Sequence, residues 1–144
     1  MRRWGWIAVG SYSACIAVVL LMPSADLPST VVERAADALG FVGAPEATTV
    51  PYRLEFLLNA LMVVPIIAAG RLHFSGTSWR DWSAWTFVVA AGVEAFQGLL
   101  LPGRSATFVD VTANTTGAIV GALSVSAIGA LRQGRTANEA QSAP

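Results

Sequence analysis

The chain contains four long apolar segments, each with at most one charged residue. They cover residues 4–22, 54–70, 82–101 and 109–131 of a 144-residue sequence. A helix rises 1.5 Å per residue, so about 20 residues cross a hydrocarbon layer of about 30 Å. Lipid offers backbone groups no water, so such a segment must satisfy them within a helix. The sequence therefore predicts an all-α polytopic membrane protein, a four-transmembrane-helix bundle forming one domain over residues 1–131.

The composition excludes several classes of function. Only 12% of the residues are charged, against about 25% in soluble domains. The formal net charge is zero and the sequence has no basic block, so a nucleic-acid partner is not expected. Cys15 is the single cysteine and His73 the single histidine, which is too few ligands for a zinc cluster. We expect neither a metal nor a cofactor.

The first apolar segment has two interpretations. Arg2 and Arg3 precede it, and small residues follow it near positions 23–25, as in a cleaved signal peptide. The segment is longer than the usual apolar region of a signal peptide, and three further membrane segments follow it. We therefore predict a transmembrane helix, with the signal peptide as the alternative.

The two polar segments have different predicted structures. In the first connection, residues 23–52, Thr30-Val-Val-Glu33 fits a capping box and Gly40 fits a stop signal. This predicts a short amphipathic helix along the membrane surface in the first extracytoplasmic loop. The alternative is a mobile loop with transient helicity, because short isolated helices are marginally stable. Residues 132–144 are predicted to be a disordered cytoplasmic tail.

The distribution of arginine predicts the orientation. Four spans place both termini on one side of the membrane. That side also receives six of the nine arginines, namely Arg2, Arg3, Arg71, Arg80, Arg132 and Arg135, whereas Arg34, Arg53 and Arg104 fall on the other side. Since arginine is enriched in cytoplasmic connections, both termini are predicted to be cytoplasmic.

Polar residues recur three or four positions apart inside three of the apolar segments. At this spacing the members of a pair share a helix face, and all the pairs lie toward the outer ends of their segments. An ionisable group within a membrane segment normally faces a protein interior or a water-filled cavity. We therefore predict one outward-facing depression whose ligand-binding residues are Arg53, Glu55, Asn59, Glu94, Gln97, Arg104, Asp110 and Asn114.

The alternative is that these residues only hold the bundle together. The amides would bond across helices, Asp110 and Glu55 would cap helix N-termini, and the arginines would pair with the acids. Helix packing has separate signals. Gly117 and Gly121 are four residues apart and allow close helix approach, and Pro65 is expected to kink the second span.

The polar and packing residues together form a recognisable pattern. It runs Arg53-x-Glu55-x-x-x-Asn59, Pro65, Glu94-x-x-Gln97, Arg104, Asp110-x-x-x-Asn114-x-x-Gly117-x-x-x-Gly121. This pattern resembles the VanZ-like family, small bacterial membrane proteins whose namesake is associated with resistance to the glycopeptide teicoplanin. The resemblance implies a location in the bacterial cytoplasmic membrane. Family members often carry an acid where this chain has Thr107.

Three functions fit these features. The first is a binding protein whose pocket holds the polar head of an envelope lipid, a lipid-linked cell-wall precursor or an amphiphilic glycopeptide, with Arg53 and Arg104 on an anionic group. The second is an intramembrane enzyme acting on an envelope lipid, with Glu94 and Asp110 as candidate acid/base groups. The third is a proton-coupled transporter that uses Glu94. We rank them in this order, because the sequence shows no nucleophile motif and four helices enclose little space.

Overall fold

The computed structural model describes residues 3–22, 26–74, 76–101 and 107–142. These residues form six helices and no strand, as expected of an all-α protein. The helices are α1 (Arg3–Leu21), α2 (Asp26–Phe41), α3 (Glu46–Thr49), α4 (Pro51–His73), α5 (Trp79–Leu100) and α6 (Phe108–Ser142).

Three of these helices are long and apolar enough to cross a membrane. They are α4, α5 and the part of α6 from Phe108 to Arg135. The fourth predicted span corresponds to α1, which has 19 residues and a shorter apolar part, Val9–Leu21. A helix of 19 residues is about 28 Å long, close to the thickness of the hydrocarbon layer. The structure thus supports a membrane helical bundle, and the count of four spans stays a prediction.

Helix α6 lies at the centre of the bundle, because it packs against both α4 and α5. Ala113, Ala118 and Ala122 on α6 are fully buried. Gly117 lies directly against the backbone of Ala60 on α4, and a Cβ atom on Gly121 would lie 2.6 Å from the carbonyl oxygen of Val64. The backbones of α4 and α6 are therefore in contact along the glycine face, as small residues in membrane helices allow.

Hydrogen bonds stabilise the turn between α4 and α5, at the end of the bundle where α4 ends and α5 begins. Ser78 and Asp81 form a capping box at the start of α5, with the Ser78 backbone N–H donating to the Asp81 carboxylate over 2.7 Å. The Arg71 guanidinium, at the end of α4, donates to the Thr77 carbonyl and, over 3.2 Å, to the Ser126 hydroxyl of α6. These bonds tie α4, α5 and α6 together.

The predicted bounds of the loop helix are wrong. Helix α2 begins at Asp26, and Thr30 is not its cap, because the Thr30 hydroxyl donates to the Asp26 carbonyl within the helix over 2.7 Å. The last residue of the helix is Phe41, and the glycine that stops the helix is Gly43 instead of Gly40. Gly43 has a φ of 76°, and the Ala44 N–H donates to the Leu39 carbonyl over 3.0 Å. This is the Schellman arrangement, which needs a left-handed residue that glycine adopts without strain.

Helix α2 turns its apolar face toward the protein. Val32, Ala35, Ala36 and Leu39 are half-buried and recur at helical spacing, and α2 packs against α3 and α4. The apolar face therefore covers the beginning of α4. The position of α2 at the outer membrane surface stays a prediction.

Helix α6 continues beyond the apolar segment into the residues that were predicted to form a disordered tail. Residues 132–142 continue α6 to Ser142, and residues 143–144 lie outside the described ranges. Within residues 132–142, Gly134 is the only glycine, there is no proline, and seven of the eleven residues are alanine, arginine, glutamine or glutamate. These residues have high helix propensity, so nothing ends the helix at the end of the apolar segment.

Candidate functional site

A set of hydrogen bonds joins α4, α5 and α6 at the end of the bundle where α4 begins. Asn59 of α4 donates from Nδ2 to Oδ1 of Asp110, at the start of α6, over 2.6 Å. Thr107 donates from its hydroxyl to Oδ2 of Asp110 and from its backbone N–H to Oε2 of Glu94 on α5, over 2.7 Å in each case. We call Asn59, Glu94, Thr107 and Asp110 the polar network.

Thr107 completes the polar network, although it is not among the residues predicted to bind a ligand. It directly precedes Phe108, and its hydroxyl oxygen accepts from the Asp110 backbone N–H over 3.3 Å. Thr107 is therefore the N-cap of α6. The spacing Thr-x-x-Asp before an apolar run is a capping-box signal that points to this residue. The acid that family members often carry at this position would cap the helix in the same way.

Both oxygens of the Asp110 carboxylate are engaged by donors from the protein. Oδ1 accepts from Asn59 and Oδ2 accepts from Thr107. Hydrogen bonds to an ionised carboxylate are shorter and stronger than neutral ones, and a half-buried carboxylate needs such partners. Asp110 therefore fixes the start of α6 against α4.

Gln97 connects α5 to α1. Its side chain is 2% exposed, and its Nε2 donates to the Leu20 carbonyl over 2.6 Å. Leu20 lies in the last turn of α1, where carbonyl groups have no partner within the helix. The amide N–H₂ of Gln97, predicted to bind a ligand, thus caps α1, as the bundle-holding alternative expects.

Asn114 lies one turn after Asp110 on α6. It is half-buried, and within the described residues its buried Oδ1 atom has no hydrogen-bond donor. A buried acceptor without a donor costs about 1–3 kcal/mol. Asn114 therefore provides hydrogen-bonding capacity that the rest of the described chain does not use.

Two predicted site residues on α4 are exposed. Arg53 is exposed and donates to the Ala47 carbonyl over 2.9 Å and to the Tyr52 hydroxyl over 3.1 Å. These contacts turn its guanidinium toward the connection between α3 and α4. Glu55 is exposed and lies one turn before Asn59. Arg104 lies outside the described residues.

Pro65 lies in the middle of α4, and the helix continues through it. Proline removes the hydrogen bond to the carbonyl four residues earlier, and a neighbouring helix often supplies donors to such a segment. The carbonyl four residues before Pro65 is that of Leu61, and Tyr12 of α1 donates from its hydroxyl to the next carbonyl, that of Met62, over 3.0 Å. Pro65 itself is exposed and faces a cavity beside Tyr12.

Comparison with known proteins gives one match. The model of the family described as VanZ/LLP1 matches residues 9–129. No curated protein and no solved structure matches the chain. The matched range contains the polar network, Gly117 and Gly121.

Within the described residues, no group of three or more His, Cys, Asp or Glu side chains is placed so that it could hold a metal ion.

Proposed function

The chain belongs to the VanZ-like family, and on this premise we propose that it binds the polar head of an envelope amphiphile without chemically changing it. The amphiphile is an envelope lipid, a lipid-linked cell-wall precursor or an amphiphilic glycopeptide. Binding a glycopeptide, or the precursor that a glycopeptide recognises, would contribute to resistance of the teicoplanin type.

The observation that carries this proposal is the polar network between three membrane helices. Glycines already hold α4 and α6 in contact, through Gly117 at Ala60 and Gly121 at Val64. Packing these helices does not require carboxylates, and ionisable groups within membrane segments are costly and usually functional. The polar network therefore supports a site for a polar ligand.

The arrangement of donors favours binding over acid/base catalysis. A general base needs an oxygen within hydrogen-bond reach of the substrate proton, whereas both oxygens of Asp110 already accept bonds from Asn59 and Thr107. Thr107 also ends the connection that carries Arg104. A guanidinium group suits phosphate or carboxylate, so an arginine three residues before Thr107 in the sequence favours an amphiphile with an anionic head.

We place the polar network at the outer face of the bacterial cytoplasmic membrane, with both termini in the cytoplasm. The support is the arginine distribution, six against three, read with the rule that cytoplasmic connections are rich in arginine. In this orientation the head groups of the outer leaflet lie next to the polar network.

Native mass spectrometry of the protein purified in mild detergent tests the proposal. The parent should carry a bound anionic lipid, and Arg104→Ala and Asp110→Leu should lose it. Arg135→Ala is the matched control, because Arg135 is exposed near the other end of α6, and it should keep the lipid. An unloaded parent, or equal loading in all four proteins, would contradict the proposal.

One contact favours the intramembrane enzyme as a second candidate. The Thr107 hydroxyl donates to the Asp110 carboxylate over 2.7 Å, which is the relation of a nucleophile to its base. The same oxygen accepts from the Asp110 N–H and so caps α6, which explains the contact without catalysis. Loss of the head group from the co-purified lipid during incubation, stopped by Thr107→Val and kept by Thr107→Ser, would establish the enzyme.

A further inference from the structure

Helix α1 is attached to the bundle differently from the other membrane helices. The buried core of the described chain comes from α4, α5 and α6, and no described side chain of α1 is buried. Two hydrogen bonds tie α1 to its neighbours, from Tyr12 to the Met62 carbonyl and from Gln97 to the Leu20 carbonyl. Of these two bonds only the one from Tyr12 crosses from α1 to α4, and no described residue of α1 in the seam between these two helices is fully buried.

A cavity of about 310 Å³ lies in this seam. It is lined by Val9 and Tyr12 of α1 and by Pro65 and Ile66 of α4. The Tyr12 hydroxyl is bonded to Met62, and proline has no backbone N–H. We call this cavity the α1–α4 groove; its walls are hydrocarbon.

In the orientation proposed above, the α1–α4 groove lies nearer to the middle of the membrane than the polar network. Ile66 is seven residues after Asn59, so the two share a face of α4 and are about 10 Å apart along the helix. On α1, Leu20 contacts Gln97 beside the polar network, and Val9 lies about 16 Å further along. The seam therefore leads from the polar network into the hydrocarbon layer.

We infer that the α1–α4 groove holds one acyl chain of the amphiphile whose head binds at the polar network. The occupant follows from the position, because at this depth the surroundings of the protein are hydrocarbon chains. A groove without free donors or acceptors accepts such a chain at no cost in lost hydrogen bonds. This inference rests on the proposed function, and it adds that the ligand is recognised by its chain as well as by its head.

Photo-crosslinking on the unchanged protein is the first test. The protein is placed in vesicles of phosphatidylethanolamine and phosphatidylglycerol, in which a fraction of the phosphatidylglycerol carries a diazirine in the middle of one acyl chain. Residues 9–12 and 65–66 should carry several-fold more adduct than Val88 and Val89, which are 58% and 62% exposed on α5. Equal labelling of the two regions would overturn the inference.

Filling the groove is the second test. Ile66→Trp places a large side chain in the groove, and Val89→Trp makes the same change on the exposed face of α5. In native mass spectrometry, Ile66→Trp should lose the bound phosphatidylglycerol and Val89→Trp should keep it. If Ile66→Trp keeps the lipid while Asn59→Leu loses it, the groove inference fails and the proposed function stands. An unloaded parent refutes both, and if Ile66→Trp does not fold, the crosslinking result decides.

Discussion

Replacing Gly117 with alanine tests how closely α4 and α6 must approach. A Cβ atom at this position would overlap the carbonyl oxygen of Ala60, and it would lie 2.9 Å from the carbonyl carbon and 3.0 Å from the Cα atom of the same residue. Carbon atoms pack best at about 3.5–4.0 Å. All three neighbours belong to the backbone, so no side chain can rotate away. The two helices must therefore move apart by about 1 Å to restore ordinary contact.

The size of the effect follows from this separation. Overpacking of this kind costs about 1–3 kcal/mol. The bond from Asn59 to Asp110, now 2.6 Å, would lengthen beyond the range of a good hydrogen bond, which adds about 1 kcal/mol or more. The higher helix propensity of alanine relative to glycine offsets about 1 kcal/mol of this loss of stability. The net prediction is a destabilisation of about 2 kcal/mol.

Reversible unfolding in mixed detergent micelles with increasing dodecyl sulfate, followed by far-UV circular dichroism, measures this difference. Gly129→Ala is the matched control, because Gly129 lies on the same helix and a Cβ atom there meets nothing within 4 Å. The control should be as stable as the parent or slightly more stable. If Gly117→Ala and Gly129→Ala unfold at the same midpoint, the close backbone contact is not what sets the helix separation.

Three further predictions address the cap, the attachment of α1 and the orientation. Thr107→Val removes the N-cap of α6 and should lower the free energy of unfolding by about 1–2 kcal/mol in the same assay. Thr112→Val removes a hydroxyl that bonds within α6 and should lower it by less. Equal losses of stability in the two variants would contradict the capping role of Thr107. Gln97→Leu removes the bond to α1 and should increase amide hydrogen exchange in the last turn of α1 without changing α4; unchanged exchange in α1 would refute the attachment. For the orientation, the native Cys15 is replaced and single cysteines are introduced at position 47 or 78. An impermeant thiol reagent added outside cells should label position 47 and not position 78. The reverse labelling would show that the predicted orientation is inverted.

Features encoded in local sequence were predictable. The long apolar segments predicted helices that are long and apolar enough to cross the hydrocarbon layer, and three helices of the described chain meet both requirements. The spacing of Gly117 and Gly121 indicated a close approach, and the structure has α4 at these positions. The bond from Asn59 to Asp110 joins two residues that were both predicted to lie toward the outer ends of their segments.

Features set by contacts between segments were not predictable. The side-chain partner of Gln97 is a carbonyl 77 residues away, and nothing within α5 indicates that α1 ends there. The direction of Arg53 depends on the fold of the α3–α4 connection, which places the Ala47 carbonyl within reach. The sequence offers both Gly40 and Gly43 as residues that could stop α2. Only the backbone conformation, with a positive φ at Gly43, distinguishes them. Asp110, and not Thr107, was considered as a cap of this helix, and the bond from the Thr107 N–H to Glu94 depends on the return of α6 beside α5.

The length of α6 has a mechanical consequence. Its 35 residues correspond to about 52 Å, roughly 20 Å more than the hydrocarbon layer. The part of α6 beyond the span, toward Ser142, is continuous with the segment that packs against α4 and α5. A rigid helix transmits rotation and displacement, whereas a flexible tail would absorb them. A fluorophore attached near Ser142 would therefore report any tilt of α6 inside the bundle as a change in its height above the lipid surface.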